Sequence, residues 1–206
     1  WKIRKGIEVE VVDVLTAGGT ASNIQAFIAN KFSNNGIAYV LLVGDAPQLP
    51  CLYAQGGASD PSMGYVLGSD SYPEVMIGRL SAETDPELQT QVDRILTYEM
   101  NPNPAGTWYN QGVVIGSNQG PGDDGEMDWE HAVNMRTDLL GFTYGNVSEL
   151  YDGTHPGTSD APGDPSNTDL FDLFQSGIGL MTYTGHGSST ACSTTGLSNN
   201  DVANMT

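Results

Sequence analysis

The chain has 206 residues, and its 7 Lys+Arg against 25 Asp+Glu leave a formal charge of −18. That balance excludes a nucleic-acid partner, because phosphate binding needs a basic face, and it excludes an anionic membrane surface. The longest apolar run, residues 37–43, falls far short of the ~20 residues that span a bilayer, and two cysteines do not make a disulfide scaffold, although one bridge between Cys51 and Cys192 stays open.

The elements read in chain order as strand, helix, strand, repeated. Residues 7–14 are β-branched and short, which predicts a strand. Residues 20–32 carry Ile24, Phe27, Ile28 and Phe32 at helical spacing. The uninterrupted run 37–43 predicts a buried parallel strand. Residues 46–70, rich in Pro, Gly and Ser, read as a long loop with a hairpin. A short strand over 74–78 precedes a helix over 86–98, entered by an acidic Thr-Asp-Pro turn. The Pro/Gly/Asn segment 101–106 is the best candidate for a subdomain boundary. Beyond it come a strand at 112–116, a helix over 126–140 and a strand at 147–151. A loop to 167, a short helix over 169–175 and a strand at 178–183 follow. Trp1 opens without a methionine or signal peptide, and residues 198–206 read as a helix start, so the chain is expected to be the inside of a longer polypeptide. Alternating strands and helices predict an α/β fold with a mostly parallel sheet and helices on both faces.

In such sheets chemistry gathers in the loops after the strands' carboxyl ends. One of these loops holds His186 between Gly185 and Gly187. The glycines let the backbone turn sharply and approach a ligand closely. An imidazole there can take a proton from a nucleophile near neutral pH, and the Gly187 amide can donate to an oxyanion. A turn that happens to carry a histidine is the plainer alternative. The Gly-rich stretch 116–125 has no Lys and carries acids, so it would repel phosphate, and the three histidines show no zinc spacing.

Four motifs, in order, resemble the gingipain-type cysteine peptidases of family C25. They are Tyr39-Val40-Leu41-Leu42-Val43-Gly44-Asp45 with its proline loop, the stretch from Gly68 through Asp70, Tyr72 and Glu74 to Ser81, Gly125-Glu126-Met127-Asp128-Trp129-Glu130-His131, and Tyr183-Thr184-Gly185-His186-Gly187-Ser188. The resemblance covers essentially the whole chain. It implies a caspase-like fold of two side-by-side subdomains, at about 1–108 and 109–206. It makes His186 the catalytic imidazole and Gly187 part of the oxyanion hole. The family's nucleophile is a cysteine after the strand that follows the histidine loop, and no residue here matches it. Cys192, six positions beyond His186, is weighed as nucleophile, as wall of the primary specificity pocket, or as an ordinary small residue. Asp128 matches an acid that Arg-directed members use to bind the substrate's basic side chain; otherwise it is a helix-start acid favoured by the macrodipole. Where gingipains offer a carboxylate to orient the histidine, this chain offers Asn118 and Gln119. Asp45, Asp70 and Glu74, with the carbonyls of Leu67 and Tyr72, match the family's calcium ligands, and calcium suits such hard oxygens. Glu126 and His131 are either structural or part of a second ion site.

The expectation is therefore a secreted or cell-surface cysteine endopeptidase acting on protein or peptide substrates, completed by the rest of its own polypeptide, with structural calcium and no membrane span. Cleavage after Arg or Lys rests on Asp128. A non-catalytic, calcium-stabilised binding or structural module is the second reading, and a hydrolase built on Cys192 the third.

Overall fold

The computed structural model describes residues 1–206 except Gln55, Asp123, Asp124 and Thr206. The chain divides into two units, Trp1–Asn103 and Pro104–Thr206, and the division falls within the 101–106 segment.

In the first unit the Thr20 hydroxyl accepts the Asn23 amide at 3.3 Å and starts helix α1 (Ala21–Asn35). Gly36, left-handed at φ 64°, ends it. Ile24 and Ile28, one turn apart, are buried against Leu42 of strand β1 (Tyr39–Val43), Met63 and Val75. A small antiparallel hairpin, β2 (Leu52–Ala54) and β3 (Gly57–Ser59), follows. β1 then pairs in parallel with β4 (Met76–Leu80). The run 37–43, expected as a buried strand, is parallel but buried on one face only: alternation along β1 sends Leu42 to α1 and leaves Tyr39, Leu41 and Val43 exposed on the opposite face, beside Met76. Helix α2 (Asp85–Met100) begins where the Glu87 carboxylate accepts the Glu83 and Thr84 amides. Arg79 ties the β1 and β4 ends together, with a two-pronged bond to Asp60 at 2.7 Å and donation to the carbonyls of Gly44 and Leu49 at 2.7 and 3.0 Å.

The strand expected over residues 7–14 is not formed. Residues 7–13 run without a ladder partner among the described residues, residues 14–18 turn, and Val11 is 93% exposed. Its β-branched composition supplies propensity only. A strand also needs a neighbour to bond, and β1 bonds β4.

The second unit is a three-stranded parallel sheet in the order β6-β5-β7. Its elements are β5 (Gln111–Gly116), α3 (Asp128–Phe142), β6 (Asn146–Tyr151), α4 (Asn167–Ser176), β7 (Leu180–Thr184) and α5 (Asn199–Ala203). Residue alternation in β5 divides the core. Val113 and Ile115 pack with Leu170 of α4 and with Leu197, while Val114 packs with Ala132 of α3 and with Val147 and Tyr151. Both faces of this sheet are thus covered, as a parallel sheet requires. The carboxyl ends of β5, β6 and β7 lie at one end of the sheet and open into the loops that carry residues 117–127, 152–166 and 185–198.

Candidate active site

β5 ends on Gly116, where α3 comes closest to the sheet. A Cβ at Gly116 would lie 2.6 Å from Trp129 Cα, so only glycine lets the amino end of α3 sit there. That contact brings Asp128, the first residue of α3, beside Ser117. The Ser117 hydroxyl donates to Asp128 Oδ2 and accepts the Gln119 amide at 3.2 Å. The Asp128 amide donates in return to the Gln119 carbonyl at 2.9 Å. Asp128 is half-buried on the first turn, where the macrodipole favours a carboxylate.

β7 leads into the histidine loop. His186 is exposed, and its Nε2 lies 2.8 Å from Gln119 Oε1. An amide oxygen only accepts, so the contact as placed matches the tautomer with its proton on Nε2. The His186 carbonyl accepts the Tyr183 hydroxyl at 2.6 Å and the Ser193 amide at 2.8 Å. The Tyr183 oxygen in turn accepts the Thr194 amide at 3.0 Å, and Thr194 Oγ1, wholly buried, donates to Asp152 Oδ2 at 2.7 Å. Gly187 faces Cys192 in an antiparallel bridge, and the Ser188 amide bonds the Ala191 carbonyl at 2.8 Å. The loop is therefore a short folded-back ribbon pinned to the end of β6 through Asp152. Thr195 holds a left-handed φ of 74°, which for a β-branched residue costs roughly 1–3 kcal/mol and persists only because its neighbours are fixed.

The structure brings His186, Gly187, Gln119 and Asp128 to the same end of one sheet. Cys192 is half-buried and, like Cys51, a free thiol. Among the described residues no hydrogen bond joins Cys192 Sγ to the imidazole. Glu126 bonds along the helix to Asn134 at 2.7 Å and lies 3.3 Å from His131 Nδ1, which suits a helix-start brace.

Sequence reasoning passed over a second polar cluster beside this site. Glu149 is buried on β6; it accepts the Tyr151 hydroxyl at 3.2 Å and the Ser159 amide at 2.7 Å, and Arg136 Nε lies 3.5 Å away. Burial first, then the charge of Glu149, pushes the Tyr151 phenol well above its ordinary range. Asp160 accepts the Tyr151 amide at 3.0 Å, and burial pushes its carboxyl upward. His155 stacks on Trp129 at 4.0 Å and donates through Nε2 to the Asp152 carbonyl at 2.8 Å. Glu149 and Tyr151 alternate on one strand, a spacing indistinguishable from ordinary strand patterning.

The residues expected to hold calcium all lie in the first unit. Glu74 Oε2 accepts the Val66 and Leu67 amides, each at 3.0 Å. Asp70 Oδ1 accepts the Tyr72 amide at 2.9 Å, and Asp45 Oδ1 accepts the Ala46 amide at 2.8 Å and the Ser81 hydroxyl at 3.0 Å. Leu67 and Tyr72 are exposed. Among the described residues no three His, Cys, Asp or Glu side chains are placed to hold a metal ion. As placed, each of these carboxylates accepts backbone amides through one of its two oxygens.

The architecture is α/β and caspase-like, with an oriented imidazole at the carboxyl end of a parallel sheet. Comparison with known proteins agrees. The sequence profile described as Peptidase family C25 matches residues 1–206. Gingipain R2 of Porphyromonas gingivalis is 36% identical over 212 residues, covering 100% of this chain and 27% of that protein. Lys-gingipain of the same organism is 25% identical over 217 residues, covering 100% of this chain and 12% of that one. The crystal structure of the Arg-specific cysteine proteinase gingipain R superposes with a TM-score of 0.80 at 35% identity, over 100% of this chain and 47% of that chain. A second structure, a complex of pro- and mature domains from P. gingivalis, gives 0.79 at 35% identity over 98% of this chain and 47% of that one. The chain belongs to peptidase family C25, whose gingipain members are cysteine peptidases. It spans about a quarter of the gingipain R2 chain and about half of the solved one. Among the described residues no helix is long and apolar enough to cross a membrane.

Proposed function

We propose that these residues form the imidazole-bearing part of a gingipain-type cysteine endopeptidase. The observation that carries this is the His186–Gln119 bond of 2.8 Å on a glycine-flanked loop at the sheet's carboxyl end. With Nε2–H given to Gln119, Nδ1 is the atom that takes the thiol proton. The thiolate attacks the peptide carbonyl, and the Gly187 amide donates to the oxyanion formed. The imidazolium then protonates the leaving amine, a thioester remains, and water releases the acid. The nucleophile, on the family's pattern, is a cysteine beyond the histidine loop. Asp128 receives an Arg or Lys side chain, a role that its half-buried carboxylate and the Arg specificity of the solved relative support. Cys192 forms part of the pocket wall.

On this reading the protein works outside the cell or on its surface, acting on protein substrates. Calcium belongs to it as a structural ion of the first unit; Glu74 gives Oε2 to the Val66 and Leu67 amides and has Oε1 for the ion, and a calcium-dependent rise in melting temperature tests that element alone. One observation favours the non-catalytic alternative: an amide on His186 cannot stabilise the imidazolium as a carboxylate does.

The deciding experiment is intact mass of the native protein before and after an arginyl or lysyl thiol-reactive inhibitor. An adduct on a cysteine other than Cys51 and Cys192 supports the peptidase. An adduct on Cys192 overturns the pocket-wall role, and no adduct from folded protein supports the non-catalytic module.

A further inference from the structure

Ser117 stands between the two groups that this reading makes functional. It is 3% exposed, so substrate does not reach it. Its hydroxyl makes two bonds with opposite roles. It donates its only hydrogen to Asp128 Oδ2, and its oxygen accepts the Gln119 amide at 3.2 Å. Gln119 then holds His186 Nε2. From the other side, the Ser117 amide donates to the Thr184 carbonyl at 2.9 Å, two residues before the histidine. A Cβ on Gly185 would lie 3.1 Å from Ser117 Cβ, so the histidine loop rests directly on this residue.

We propose that Ser117 is a positioning residue that couples the Asp128 carboxylate to the orientation and tautomer of His186. The physical basis is hydrogen-bond polarisation. A hydroxyl that donates to a carboxylate becomes a better acceptor, so the Asp128 charge strengthens the bond that fixes the Gln119 backbone. Ser117 also holds Oδ2 and leaves Oδ1 to meet a basic side chain. Neutralising Asp128 therefore loosens Gln119 and, through it, the Nε2–H tautomer of His186. The inference rests on the reading of Asp128 and His186 given above.

The test uses the full-length protein labelled with ¹⁵N-histidine, with His186 ring shifts reporting the tautomer at fixed pH. Ser117→Ala is expected to lower the ratio of Nε2–H to Nδ1–H about fivefold, the equivalent of about 1 kcal/mol for one lost bond. Ser117→Cys fills nearly the same space and donates weakly; it should move the ratio the same way by less, and it serves if the alanine variant does not fold. Asp128→Asn should also lower the ratio when Ser117 is present and have no further effect in the Ser117→Ala background. A residue that merely fills space would change the melting temperature and leave the tautomer alone. A folded Ser117 variant with the wild-type ratio overturns the proposal. So does an Asp128→Asn effect of equal size with and without Ser117. Benzamidine binding to the wild-type protein separates the two levels: no binding, together with an Asp128→Asn effect that vanishes in the Ser117→Ala background, would refute Asp128 as the substrate contact and leave the Ser117 coupling standing.

Discussion

Replacing Gly116 by alanine tests how the sheet positions Asp128. The added Cβ would lie 2.6 Å from Trp129 Cα and 3.0 Å from both Asp128 O and Trp129 N. Carbon contacts settle near 3.5–4.0 Å, so the amino end of α3 must retreat by about 1 Å. All three atoms are backbone, and no side-chain rotation relieves the overlap. Overpacking of this kind costs about 1–3 kcal/mol. The same retreat stretches the Asp128 amide-to-Gln119 carbonyl bond of 2.9 Å beyond hydrogen-bonding range, for about 1 kcal/mol more. The expected total is about 2–4 kcal/mol, a large part of what a unit of this size has to lose. Urea unfolding followed by tryptophan fluorescence reads it. Gly141→Ala is the control, because it lies in the same helix with nothing within 4 Å of its Cβ and should stabilise by about 0.5–1 kcal/mol. A Gly116→Ala protein within 0.5 kcal/mol of wild type, about the resolution of such comparisons, would refute the close-approach argument.

Further perturbations separate the parts of the site. Thr194→Val keeps the shape of a wholly buried side chain and deletes its bond to Asp152; it should cost about 1.5–3 kcal/mol and speed amide exchange at Ser193, and an unchanged melting temperature would show that Asp152 does not pin the loop. Asp160 binds its proton more tightly folded than unfolded, so above its ordinary value of 3.8 the wild-type protein loses stability as pH rises through the folded value. Asp160→Asn should therefore be more stable than wild type at pH 7, with the gap closing toward pH 3–4, and a gap independent of pH would contradict the burial argument. Gln119→Glu puts a carboxylate on His186 Nε2 and should raise kcat of the full-length peptidase roughly tenfold; a fall in kcat would count against Nδ1 as the base.

The helices and parallel strands were legible because their signals are local, although the apolar run of β1 did not tell that only Leu42 is buried. Thr20, Ser166 and Ser198 cap the helices that follow them through their own side chains, and the apolar runs become β5, buried along most of its length, and β7, which is only half-buried. His186 stood out for the same reason, between glycines after such a run. The Asn118/Gln119 pair was visible as the place where an acid is missing, and the geometry selects Gln119. Long-range pairing was not legible. Thr194 meets Asp152 across forty-two positions, and nothing at either residue announces the other. Arg79 clamps Asp60 and two carbonyls that lie 19 to 35 positions away, and nothing in its own neighbourhood announces them. Residues 7–14 failed for the converse reason: their propensity is local, but a strand's stability lies in its neighbour.

The order β6-β5-β7 also sets a sequence in time. β5 can find β6 by closing one loop around α3, whereas β7 must wait for everything from residue 117 to residue 179 to be gathered in. Loop-closure entropy grows with length, and non-local parallel pairing is the slow step in such topologies. β7 carries the histidine loop, whose anchor, Asp152, follows β6. Loop-closure entropy therefore favours an order in which the β5–α3–β6 half pairs first and the histidine loop, with its anchor beyond β6, is gathered in by the longer closure.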